Sequence, residues 1–122
     1  MSKETRLFEE HYENCIDKTW NFAKRCKTFK DHLFNAVLGL AGEAGEVADQ
    51  VKKWQYHTEK SDAFHKEKLV SELGDVFFYL IKFMKLTDIT LEEVLKANMQ
   101  KLQSRHPELG IVKERFAEGY VK

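Results

Sequence analysis

The sequence predicts an all-α protein, a four-helix bundle of antiparallel helices with short connections. Three observations predict it. Apolar residues recur at three- and four-residue spacing through almost the whole chain. Pro occurs once, at Pro107, so nothing before that point forbids a helix. The polar interruptions are short and separate four such segments, as a bundle requires.

The first segment, about residues 4 to 25, places Leu7, Phe8, Tyr12, Cys15, Ile16, Thr19, Trp20 and Ala23 at helical spacing. Trp20, Cys15 and Cys26 are expected in the core. Residues 26 to 31 break the pattern and read as a polar connection. A second helix is expected from Asp31 or His32 to about His57, with an apolar stripe through Phe34, Val37, Leu38, Ala41, Ala44, Val47, Ala48, Val51 and Trp54. Thr58 to Ser61 reads as a turn, and Ser61 or Asp62 can cap the third helix. That helix, about 63 to 87, is expected to bury Leu69, Val70, Leu73, Val76, Phe77, Leu80, Ile81 and Met84. The fourth has the clearest start: Thr90 with Glu93 forms the capping-box pattern, and Ile89 can staple against Val94. It runs through Leu91, Leu95, Met99 and Leu102 until Pro107 stops it. The tail, with Ile111, Val112, Phe116 and Tyr120, reads as a short helix packing on the bundle or on another subunit.

The 122 residues suffice for one domain with a core and are too few for two, so residues 1–122 are read as a single domain. Twenty basic and twenty acidic side chains give zero formal net charge. That balance argues against a general nucleic-acid binder, which would carry a basic excess, and does not oppose association between copies. The start of the sequence runs into charge rather than an apolar core, so a secretory signal is not expected. The longest apolar run, Val76 to Ile81, falls far below the ~20 residues of a membrane span. Cys15 and Cys26 on a helix would stand roughly 16 Å apart at about 1.5 Å rise per residue, too far for a disulfide. Reduced thiols in a cytoplasmic protein are the expectation.

The chemistry concentrates in the second and third helices. Glu43 and Glu46 are three residues apart, so they project from neighbouring turns of one helix face. Gly39, Gly42 and Gly45 surround them, each at a cost of roughly 1 kcal/mol relative to Ala. Such a cost points to a close approach by a neighbouring helix or a ligand. Glu72 and Asp75 repeat the spacing. The midpoints of the two pairs are equidistant from residue 59, inside the expected turn, so an antiparallel hairpin sets them at one height. By the same construction about Asp88, Lys101 falls level with Asp75. Asn98, Lys101 and Arg105 share a face of the fourth helix. Four carboxylates and an Asn/Lys/Arg row are thereby expected in one layer.

Four gathered carboxylates repel one another unless protons or cations intervene. Hard divalent ions take oxygen ligands and are commonly held by a few carboxylates together with substrate phosphates. Mg²⁺ is therefore the expected cofactor at Glu43, Glu46, Glu72 and Asp75, with Mn²⁺ able to substitute. Lys101 and Arg105 could neutralise phosphate charge, Arg in bidentate fashion. No glycine-rich phosphate loop of the P-loop type stands in the sequence.

At these residues the chain resembles the MazG-like, all-α nucleoside triphosphate pyrophosphatases. Glu43-Ala44-Gly45-Glu46 and Glu72-Leu73-Gly74-Asp75 match their paired acidic motifs. Leu38 to Gly42, Val76 to Leu80, and the run Asn98, Lys101, Arg105, His106, Pro107 match the flanks. The resemblance covers roughly residues 30–107. It implies Mg²⁺-dependent hydrolysis of a nucleoside triphosphate to monophosphate and pyrophosphate, for nucleotide-pool control or house-cleaning. It implies Glu43, Glu46, Glu72 and Asp75 as metal ligands, and Asn98, Lys101 and Arg105 near phosphates or sugar. Tyr79 matches a substrate-contacting position, and Trp54 lies one residue from the register of a base-stacking Trp. Phe29 and His32 are candidates for an aromatic–His segment. Homodimers or homotetramers are implied as well. Within that reading, Glu46, with Glu43 as the other catalytic carboxylate, is favoured to deprotonate the attacking water.

Two competing readings differ in class. A di-iron carboxylate bundle would need Glu-x-x-His on two helices, and no Glu here has a His three residues on. A non-catalytic helical partner protein that retained the fold is the alternative, and the presence of all four expected ligands argues against it.

Overall fold

Helix begins where the sequence supplies a cap. In the computed structural model, which describes residues 2–20, 25–56 and 65–110, the first helix, α1, is Lys3–Trp20. Ser2 caps it, its hydroxyl accepting the backbone N–H of Thr5 at 3.1 Å. The second helix, α2, spans Phe29–Tyr56. Its start is a reciprocal box. The Thr28 hydroxyl accepts the backbone N–H of Asp31 at 3.2 Å, and the Asp31 carboxylate accepts that of Thr28 at 2.9 Å. Lys27 donates its N–H to the same Asp31 oxygen at 3.0 Å. These bonds draw the Asp31 carboxyl below the usual carboxylate range, backbone N–H donation from Lys27 and then Thr28 being the main causes. The stretch expected as a polar connection thus already holds the cap and the first helical turn.

The third helix, α3, is Lys66–Leu86. It ends with Asp88 in the left-handed region, φ 55°, a conformation that short polar side chains tolerate better than most. The fourth, α4, is Leu91–Arg105 and opens with the expected box. The Glu93 carboxylate accepts the Thr90 N–H at 2.7 Å, and the Thr90 hydroxyl accepts the Glu93 N–H at 3.1 Å. Pro107 ends it, as expected, and Pro107–Leu109 forms a single 3-10 turn. No strand occurs among the described residues. The Thr58–Ser61 turn, the Ser61 or Asp62 cap and the tail from Ile111 lie outside the described residues.

Two compact units result. Met1–Leu86 carries α1 to α3, and Thr87–Lys122 carries α4 and the 3-10 turn. In the first, α2 and α3 pack along their length and α1 packs on α3. Asp17 of α1 pairs with Lys85 at 2.7 Å and Lys82 at 3.4 Å, and this pairing holds its carboxyl below the ordinary value, Lys85 contributing most. The buried residues are Ile16 and Trp20 of α1, Ala36 of α2, and Ile81 and Met84 of α3.

The core is smaller than the apolar stripes predict. Phe34 is 62% exposed, Leu38 70% and Phe77 51%, and Val37, Val51, Val70 and Leu73 are exposed too. Cys15 is exposed and Cys26 half-buried, both as free thiols. The packing among α1, α2 and α3 leaves these stripe positions exposed. The thiol state agrees with the expectation; the core placement of Cys15 does not.

Candidate metal centre

Packing of α2 on α3 follows the expected register about residue 59. Gly39 lies against Tyr79, a pair equidistant from that residue, and Glu43 lies beside Asp75, likewise equidistant. Carboxylate oxygens of Glu43, Glu72 and Asp75 all fall within 4.8 Å of one another. Glu43 and Glu72 are half-buried and Asp75 is exposed. Glu46 stands outside that cluster and is exposed, although its charge still acts on Glu43. Three of the four expected carboxylates are therefore brought together, and the fourth stands nearby on α2.

The electrostatics agree with the geometry. Partial burial, then the charges of Asp75, Glu72 and Glu46, holds the Glu43 carboxyl above the usual glutamate range. Among the described residues, no Lys, Arg or His forms an ion pair with Glu43, Glu72 or Asp75. Three carboxylate oxygens from two helices, gathered within 4.8 Å and without an ion-pair partner of their own among the described residues, make a donor set suited to a hard divalent cation.

Two further residues are coupled electrostatically to this cluster. Tyr12 of α1, assigned to an apolar stripe, has its phenol pushed up by burial and then by the charge of Asp75. That coupling puts Tyr12 within electrostatic reach of Asp75. Lys53 pairs with Asp49 at 2.8 Å, and its ammonium also feels Glu46 and Glu72, Asp49 remaining the main cause of its raised pKa. Its spacing from Glu43 and Glu46 places it on their stripe of α2, a signal present in the sequence. Asp49 is thus an ion-pair partner and not a member of the cluster.

Beyond Tyr79 lies an aromatic group. Trp20, buried as expected, donates its indole N–H to Nδ1 of His32 at 2.9 Å. That bond requires an unprotonated Nδ1, so the neutral imidazole carries its proton on Nε2. Trp20 meets Tyr79 edge-on at 6.1 Å between ring centroids, and Phe78 meets Tyr79 edge-on at 5.1 Å. Lys82 Nζ lies 5.2 Å from the Trp20 ring centre, a cation–π distance. His32 thereby joins this group, while Phe29 is exposed at the start of α2. Trp54 is half-buried near the end of α2. Asn98, Lys101 and Arg105 are exposed on one face of α4, within the second unit.

Gene 37 protein of Mycobacterium phage L5 is 41% identical over 76 residues, covering 60% of this chain and 65% of that protein. The chain thus spans a little under two thirds of that relative's length. Uncharacterized protein YvdC of Bacillus subtilis (strain 168) is 32% identical over 78 residues, covering 59% of this chain and 74% of that protein. No solved structure matches the chain. The model of the MazG nucleotide pyrophosphohydrolase domain matches residues 33–110, a stretch that contains all four acidic-motif residues and the Asn/Lys/Arg row. The chain belongs to the MazG nucleotide pyrophosphohydrolase family.

Proposed function

We propose that this protein is a Mg²⁺-dependent nucleoside triphosphate pyrophosphatase that hydrolyses a (d)NTP to (d)NMP and pyrophosphate. The observation that most supports it is the convergence of Glu43, Glu72 and Asp75 within 4.8 Å, inside the region that matches the family model. A bound Mg²⁺ (or Mn²⁺) would supply positive charge against the phosphates and acidify water in the site. Glu43, Glu72 and Asp75 would hold it, with Glu46 as a fourth ligand or, in the role we favour, as general base.

Glu46 is suited to that role by its place beside the cluster and outside it. It takes one proton from water as the water oxygen bonds to the α-phosphorus. The bond from that phosphorus to the bridging oxygen breaks, and pyrophosphate leaves with the bonding pair. Asn98, Lys101 and Arg105 bind phosphate and sugar oxygens in this reading, and Tyr79 and Trp54 contact the nucleoside. Nucleotide-pool control and house-cleaning are both compatible roles.

A homo-oligomer belongs to the same proposal. Phe34, Leu38, Val70 and Phe77 are large apolar residues exposed on the two site-bearing helices, and exposed apolar surface of this kind favours a protein partner. No helix among the described residues is long and apolar enough to cross a membrane. We assign the protein to the cytoplasm, in keeping with its free thiols.

Pyrophosphate release from a panel of ordinary and modified (d)NTPs with Mg²⁺ tests the reading. Turnover of at least one nucleotide is expected, with Glu46→Gln slower by about 10²–10⁴-fold at unchanged helicity. No turnover across the panel by protein that binds the metal would favour a non-catalytic partner instead.

A further inference from the structure

We propose that Gly39 is a positioning residue for the nucleoside half of the substrate, acting through Tyr79. The proposal rests on the pyrophosphatase reading and adds to it the feature that sets the shape of the site beside the phosphates.

Gly39 stands one helical turn before Glu43 on α2, and Tyr79 one turn after Asp75 on α3. Both therefore lie about 5–6 Å along their helices from the carboxylate cluster, on the same side of it. A Cβ placed on Gly39 would fall against ring carbons Cδ1 and Cε1 of Tyr79 and 2.6 Å from Cζ. The Tyr79 ring thus occupies the volume that any other residue at position 39 would fill. Gly42, Gly45 and Gly74 are different, because a Cβ on each would meet nothing within 4 Å. Only at Gly39, among these helical glycines, does a neighbour in this chain account for the missing side chain.

The ring has little room to retreat. Phe78 stands edge-on to it at an interplanar angle of 87°, and Trp20 at 76°. Trp20 is itself buried and tied to His32. A methyl group at position 39 must therefore move Tyr79 out of its seat. If phosphates bind at the carboxylates, the sugar or base attached to the α-phosphate reaches about one turn further, to the half-buried Tyr79. The depth of that ring, set by Gly39, determines the room left for the nucleoside. An inorganic triphosphate has no group there to be affected.

That contrast supplies the test. Gly39→Ala should raise KM for the best nucleoside triphosphate about tenfold, with kcat within about threefold. The inhibition constant of inorganic tripolyphosphate should stay at its wild-type value. With Tyr79→Leu in place, adding Gly39→Ala should leave the nucleotide KM unchanged and should not lower Tm, since Ala favours the helix over Gly once the clash is gone. Should the single variant fail to fold, comparison of Tyr79→Leu with the double variant decides, since relief of the clash must restore folding. An equal loss of tripolyphosphate and nucleotide binding would overturn the proposal. So would an undiminished penalty in the Tyr79→Leu background. Wild-type protein with no turnover of any nucleotide would overturn the pyrophosphatase reading and the proposal with it, whereas the preceding outcomes leave that reading standing.

Discussion

Glu43, Glu72 and Asp75 present the residue-scale problem of three like charges in one place. Without a cation they repel, and Glu43, held up first by its partial burial and then by these charges, keeps its proton more tightly than an ordinary glutamate. The sign of the consequence comes from linkage. Its pKa is higher in the folded than in the unfolded chain, so the folded state binds the extra proton between those two values. Stability from this group is present below the unfolded pKa and is lost as pH rises through the folded one. A divalent ion competes with that same proton, so affinity should climb with pH across the window above the usual glutamate value. Calorimetric titration with Mg²⁺ at several pH values would measure it. Asp75→Asn removes a principal charge acting on Glu43. It should weaken metal binding, move the window toward lower pH and raise Tm in the presence of a chelator. A lowered Tm in chelator would mean that repulsion is not what the three carboxylates store. The carboxylates were legible in the sequence because helical spacing and the hairpin register are both integer arithmetic. The part contributed by Tyr12 was not, since α1 has no motif that fixes its height against the hairpin.

Caps govern the element scale. The Thr90 box was legible because an apolar-periodic segment comes directly after it. The Thr28 box has the same chemistry with Asp in place of Glu, yet polar Lys27, Lys30 and Asp31 around it disguise the helix start. Each hydroxyl satisfies a backbone donor that has no partner within its own helix. Thr28→Ala and Thr90→Ala should each cost about 1 kcal/mol, read as a fall in Tm or denaturation midpoint. Because the two caps are in separate compact units, their effects should add within about 0.5 kcal/mol. An effect below a few tenths at either site would mean that water replaces the hydroxyl without penalty. The glycines divide in a related way. Sequence alone assigned Gly39, Gly42 and Gly45 one shared reason, and the packing supports that reason only at Gly39.

At the scale of the molecule, the wide apolar stripes predicted the fold class and overpredicted the core. Periodicity reports that a face is apolar, not whether the same chain or another copy covers it. Phe34 and Leu38 on α2 and Phe77 on α3 remain exposed, which is why a second copy of the chain is proposed. Leu38→Glu should shift the protein toward monomer in sedimentation or light scattering without loss of helicity. A wild-type monomer at all concentrations would contradict that part. The central claim is attack by water at the α-phosphorus, assisted by carboxylates of α2 and α3. Hydrolysis of a turned-over nucleoside triphosphate in ¹⁸O-enriched water, read by mass spectrometry, tests it most directly. Attack at that atom predicts the heavy oxygen in the nucleoside monophosphate and none in the pyrophosphate. Label in the pyrophosphate, or release of orthophosphate with a nucleoside diphosphate, would contradict it.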